Sequence, residues 1–213
     1  MYGQFGVRAF MGQNQFDRWE EILATTPRPR ETDILTTGYS FSLDYWIRPE
    51  NFRLEFFPEL GYETMSTSIS HIEETSSYSV NAYRIGLNVH LYPLDFRGDC
   101  DCPTFSKEGS FFQKGFFLLL RPAYSIFDKN MNVDGSTNSH SSGSIQIAGG
   151  AGLDFGISDL VTITPIIQYV YSAGVDWEGF SSTLGIIHIQ PPDESASLTQ
   201  LQVGVRLGIR LDY

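Results

Sequence analysis

Residues 201–213, LQVGVRLGIRLDY, alternate without interruption. Leu201, Val203, Val205, Leu207, Ile209, Leu211 and Tyr213 are apolar, whereas Gln202, Gly204, Arg206, Gly208, Arg210 and Asp212 are polar or lack a side chain. A period of two over this length is the pattern of a β-strand whose two faces meet different surroundings. The segment closes on an aromatic residue.

Seven earlier segments alternate in the same way, and the pattern places strands at 4–11, 35–47, 52–64, 78–92, 115–127, 144–157 and 161–172, with the terminal segment as the eighth. Three of them carry an interior proline on the apolar face, Pro58, Pro122 and Pro165. Proline removes a ladder donor, so these positions read as a recurring feature of one hairpin type, such as bulges. The connections alternate in length. Those at 12–34, 65–77, 128–143 and 173–197 are long, and those at 48–51 and 158–160 are tight; the connection at 93–114 is the long exception among the second set. Short turns at one end and long loops at the other are the habit of outer-membrane barrels. They predict both termini at the periplasmic end.

Composition agrees with a strand-based crossing. The 213 residues suit one domain, and nothing marks a linker, so residues 1–213 are read as a single barrel domain. Mean hydropathy is −0.15, and no stretch reaches the roughly 18 apolar residues that a membrane helix needs. No charged and apolar leader precedes Tyr2, which reads as a mature chain. The formal charge of −11 argues against nucleic acid, whose phosphates need a basic surface.

Which face points inward is decided by volume. An eight-stranded barrel has an interior just wide enough for side chains to fill it. The apolar set is bulky Leu, Ile, Val, Phe and Tyr, while the opposite set is rich in Gly, Ala and Ser with spaced charges. The bulky set therefore faces lipid. Tyr39, Tyr62, Tyr83, Tyr124, Tyr169 and Tyr171 then fall near one rim, and Tyr45, Phe52, Phe116 and Tyr213 near the other, as two interfacial girdles. The inward set holds six arginines, Arg8, Arg53, Arg84, Arg121, Arg206 and Arg210, and six carboxylates, Asp44, Glu55, Glu59, Glu63, Asp154 and Asp212. No lysine is expected among them, which suits buried pairing by guanidinium forks. An ionic plug filling a closed barrel is preferred to an ion path or proton relay.

Other candidates carry less. Cys100 and Cys102 share one loop, DCDCPTF, with no nearby His or Cys to complete a metal site; a strained disulfide, two free thiols or a periplasmic contact all remain open. Of the four histidines, His71 lies beside Ser70 and Glu73 in SISHIEE, His90 faces inward, and His140 and His188 fall in loops. Neighbours in a loop are not a triad. Phe16, Trp19, Trp177 and Phe180, in the long loops, read either as interaction surfaces or as a lid packed on itself.

The strand pattern, the loop asymmetry and the terminus GVRLGIRLDY together resemble the small outer-membrane β-barrels abundant in Bacteroidota, the PorT-like and OmpX- and OmpA-barrel-like group. The resemblance implies an all-β, eight-stranded antiparallel up-and-down transmembrane barrel in the cell outer membrane. It implies a non-enzymatic accessory subunit of a secretion, barrel-assembly or nutrient-uptake machine, or a surface-exposed structural protein. A lipid A-modifying enzyme and a narrow channel are the alternatives. No cofactor or metal is expected. The expected partners are outer-membrane lipid, lipopolysaccharide and other outer-membrane or periplasmic proteins. No peptidoglycan-binding domain follows the eighth strand, so an anchor of the full OmpA type is not expected.

Overall fold

The computed structural model describes residues 4–24, 34–47, 49, 53–70, 75–94, 115–133, 135–158, 160–184 and 194–210. Among them, eight long strands follow one another: β1 Gln4–Phe16, β2 Thr37–Trp46, β3 Leu54–Ser70, β4 Thr75–Leu91, β5 Phe116–Val133, β6 Ser136–Leu153, β7 Val161–Asp176 and β8 Ser195–Arg210. A two-residue piece, Phe155–Gly156, continues β6. Helix α1, Asp17–Ala24, follows β1, and the short α2, Phe180–Thr183, lies between β7 and β8. Each strand pairs antiparallel with its sequence neighbours, and β1 closes the ring against β8, from Gln4 opposite Arg210 to Phe16 opposite Leu198. With no free edge, every ladder group has a partner strand, as a bilayer interior demands.

None of the three prolines makes a bulge, which corrects the expectation. Each interrupts one ladder and leaves its register intact. The β2–β3 pairing stops at Asp44 opposite Glu59, one step before Pro58, and resumes with Ile47 opposite Phe56. The β4–β5 pairing skips the positions beside Pro122, between Gly86 opposite Ala123 and Val89 opposite Leu120. Beside Pro165, the β6–β7 pairing skips from Gly152 opposite Ile166 to Phe155 opposite Ile163, which is why β6 breaks at Asp154. The missing N–H explains each gap. Among the described ladders, the register shifts in β7–β8 between Ser172 and Val175, where Gly174 takes φ 68.

Several strands run well past the expected boundaries. β5 and β6 are 18 residues each and β3 and β4 are 17, against the roughly 9–11 needed to cross a bilayer. Most of the segments expected as loops at 65–77 and 128–143 are strand instead. The surplus lies at one end, here the tall end; the other, where Gln4 meets Arg210, is the terminal end. On β5 the outward residues are Leu118, Leu120, Tyr124 and Ile126, then Asp128, Asn130 and Asn132. The inward residues change in the opposite sense, from Arg121 and Ser125 to Phe127, Met131 and Val133. The exterior apolar band also includes Phe5, Val7, Leu43, Leu60, Ile85, Ile147, Ile167 and Val205, all exposed. Below the turn in polarity the barrel has a lipid-facing exterior and a lumen of polar and charged groups resting on a small aromatic cluster; above it, a wet exterior and an apolar core.

Candidate functional site

Stacked layers fill the lumen. At the tall end Phe16, Trp19, Ile22, Leu23, Leu35, Met65, Tyr78, Phe127, Met131, Val175, Trp177, Phe180 and Leu198 form one buried cluster. Trp19 stacks on Phe16 at 4.2 Å and meets Trp177 edge-on at 5.0 Å. The indole N–H of Trp19 donates to the Glu194 carbonyl (3.0 Å), and that of Trp177 to Asn138 Oδ1 (2.9 Å). Of the two readings of these aromatics, the geometry is that of a lid packed on itself. Helix α1 supplies it because Trp19, Ile22 and Leu23 share one face. Asp17 ties the helix start to β8, accepting from the Ser197 N–H (2.8 Å) and hydroxyl (2.6 Å). Partial burial alone would raise the Asp17 pKa, but the hydrogen bonds from Ser197 outweigh it and hold the carboxyl below its ordinary range.

One lysine does face inward, against expectation. Lys129 is buried just below the lid, and its ammonium donates to the Ser142 hydroxyl at 2.5 Å. Burial pushes its pKa down to about 8, although Asp176 and Asp128 pull the other way. It lies above the lipid-facing band, beside the outward Asp128 and Asn130.

An amide layer comes next. Gln168 donates to Gln202 (2.7 Å), Gln202 to Gln200 (3.3 Å), and Gln200 both to Asn14 (2.9 Å) and to the carboxylate of Glu63. Ser125, Gln146 and Ser172 form a second chain across β5, β6 and β7, at 2.7 and 2.8 Å.

The ionic layer fills the middle of the membrane-spanning part. Glu59, on β3, accepts from Arg84 Nε (3.0 Å), Arg121 Nη1 (3.4 Å) and Asn88 Nδ2 (2.7 Å), with Arg8 Nη1 at 4.0 Å. Asp44 is shared by Arg8 Nε (2.6 Å) and Arg206, whose Nη2 reaches it at 2.7 Å. Arg84 also pairs with Glu63 at 3.5 Å. All seven of these charged side chains are buried. The wall makes room for them: a Cβ at Gly6 would collide with Asp44 and Arg206, and one at Gly61 with Arg84.

Below lies an aromatic shelf. His90 is sandwiched between Phe57 and Phe117, at 4.3 and 4.0 Å, with neither ring nitrogen hydrogen-bonded. Arg206 and Arg8 stand over Phe57 at 4.8 and 5.3 Å. Near the terminal end, the Tyr92 hydroxyl bridges Glu55 (3.0 Å) and Asp154 (2.6 Å), Thr164 donates to Asp154 (2.6 Å), and Arg53 covers the Tyr92 ring at 4.4 Å.

The structure therefore places Arg8, Asp44, Glu59, Glu63, Arg84, Arg121 and Arg206 in one layer and Arg53, Glu55 and Asp154 in another. The side chains of Arg210 and Asp212 lie outside the described residues, as do Phe52, Tyr213, His71, His188, Glu73 and both Cys100 and Cys102. His140 faces Glu178 at 4.0 Å. Asn14, Asn88, Gln168, Gln200, Gln202 and Tyr92 join these networks without being among the candidates named from the sequence. Their inward positions in the alternation are the available signal; the charges draw attention from the amides.

No protein-family model and no curated protein matches the chain. Solved structures do. Ail, the attachment invasion locus protein of Yersinia pestis, in complex with the heparin analogue sucrose octasulfate, matches at TM-score 0.50 and 9% identity, over 98% of this chain and 100% of that one. A major outer membrane protein from Thermus thermophilus matches at 0.49 and 11%, over 97% and 99%. Neisserial surface protein A matches at 0.44 and 13%, over 96% of each. At such identities the likeness is one of fold. With its closed ladder and apolar exterior, the chain is an eight-stranded antiparallel up-and-down transmembrane β-barrel of the kind seen in small outer-membrane proteins.

Proposed function

We propose that this chain is a sealed, non-enzymatic barrel of the outer membrane, with its termini periplasmic and its tall end extracellular. It acts through its rims, as an accessory subunit of a larger outer-membrane machine or as a surface-exposed structural protein. The observation that carries this reading is the filled lumen: an apolar lid, an amide layer, a seven-residue ionic layer and an aromatic shelf lie in series. A solute path would need a continuous wet column, and a catalytic site would need an accessible nucleophile with its base. Among the described residues, neither His90 nor His140 has a serine hydroxyl as a hydrogen-bond partner. The loop asymmetry and the GVRLGIRLDY pattern support grouping the chain with the PorT-like barrels of Bacteroidota.

Ail binds a highly sulfated sugar in its structure. A chain of charge −11 offers no comparable attraction to a polyanion, and weak binding to sucrose octasulfate is expected here. Pull-down from native outer membrane under mild detergent tests the subunit role directly. Co-purification of a stoichiometric outer-membrane or periplasmic partner supports it, and a monomer with no partner overturns it. An altered lipid A mass spectrum on expression of the protein would instead establish the enzyme.

A further inference from the structure

The ionic layer holds more positive charge than its own carboxylates neutralise. Four guanidinium groups, Arg8, Arg84, Arg121 and Arg206, face three carboxylates, Asp44, Glu59 and Glu63, all buried. Three of the four converge on Glu59 alone. Acceptors run out accordingly: Arg8 Nη1 and Nη2, Arg84 Nη2, and Arg121 Nε and Nη2 are buried guanidinium nitrogens with no hydrogen-bond partner. A guanidinium cannot accept a hydrogen bond and stays protonated in proteins, so neither rotation nor proton loss relieves it. Unpaired buried charge of this kind is strongly unfavourable.

Arg8 on β1 and Arg121 on β5 stem from opposite walls of an eight-stranded ring, and both reach the same carboxylate. Both guanidinium groups therefore lie beside Glu59, each with nitrogens that have no hydrogen-bond partner. The Phe57–His90–Phe117 shelf closes the layer below, and the amide layer closes it above. We propose that a small monovalent inorganic anion such as chloride binds in the middle of the lumen, held between the Arg8 and Arg121 guanidinium groups beside Glu59. One negative charge brings this layer to neutrality, whereas a divalent oxyanion would overshoot it and needs more room than a packed eight-stranded lumen leaves. The ion is captured as the barrel closes and acts as a structural counterion to the plug.

The test uses the full-length barrel refolded and crystallised in sodium bromide. An anomalous bromine peak hydrogen-bonded to Arg8 and Arg121 is the expected result. Density of water strength with no anomalous signal there overturns the proposal. R121Q equalises the layer at three charges of each sign. Wild type should melt at a higher temperature in chloride than in gluconate at equal ionic strength, and R121Q should lose that difference. An identical anion dependence in both proteins would also overturn it. Should R121Q fail to fold, the bromide map of the wild type decides alone. A sealed lumen does not depend on this ion, so zero conductance with no bromide peak would remove the anion site and leave the proposed function intact.

Discussion

At the scale of single residues, Glu59 carries the plug. It answers three arginines and Asn88 at once, so Glu59→Ala leaves several buried donors and charges unpaired. A loss of about 3–5 kcal/mol is expected from urea unfolding in detergent, as when one partner of a buried pair is removed. Arg121→Met should cost clearly less, because one nitrogen of Arg121 meets Glu59 at 3.4 Å while two others have no partner. Equal losses in the two variants would contradict that ranking. Lys129 makes a prediction in pH. Its folded pKa of about 8 lies below the ordinary 10.5, so between those values the unfolded chain binds more protons than the folded one. Stability should therefore rise with pH across that window and level off below 8, where the lysine is protonated in both states. Lys129→Met should flatten the slope, read from melting temperatures in a pH series.

The elements show how one strand serves two media. In β5 the outward apolar residues are even-numbered and end at Ile126, and from Phe127 the apolar residues are odd-numbered and inward, because the exterior changes from lipid to water while the side-chain directions stay fixed. β8 does the same: Leu201, Val203 and Val205 face outward, whereas Leu198 and Ala196 are buried inside. A single-phase reading of alternation stops at such a reversal, and for that reason it takes the tops of β3 to β6 for loops. Asp134-Gly135 is the signal it passes over, a dipeptide that favours a tight hairpin. Gly135 has φ 84, and Val133 pairs with Ser136 around it. The lid is an element too. Trp177→Ala removes a fully buried indole that touches Trp19 and Phe180 and should cost about 3–5 kcal/mol. Trp19→Ala should cost a similar amount. The double variant should lose less than the sum, since the two rings share one contact. Hydrogen exchange should localise the loosening to α1 and the tall end of β7 and β8.

At the scale of the whole molecule, the layers act in series, and opening one does not make a pore. The Trp19→Ala, Trp177→Ala double variant should remain non-conducting in planar bilayers, because the ionic layer and the aromatic shelf still occlude the lumen. Stepwise channel openings in the wild type would defeat the sealed reading; openings in the double variant alone would show that the lid is the only barrier. The charge distribution agrees with a filled lumen. Five arginines and five carboxylates of the described inner wall cancel, so the −11 comes from residues outside this set, largely in turns and loops where partners would meet it.

The alternation by itself determined the strand count and, for a closed eight-stranded ring, the face that meets lipid. Those follow from side-chain period and volume, which are local or additive properties. Ten of the twelve charges named as inward lie among the described residues and face the lumen, since an inward position can be counted along a strand. Which charge meets which could not be counted that way, because Glu59 joins side chains from β1, β3, β4 and β5 whose relative heights depend on the register of every intervening ladder. The aromatics of α1 and α2 likewise become a lid through the curvature of the closed sheet, which brings Trp19 and Trp177 together. The three-to-four imbalance at the centre of the barrel, and the unpartnered guanidinium nitrogens that go with it, arise from that long-range geometry.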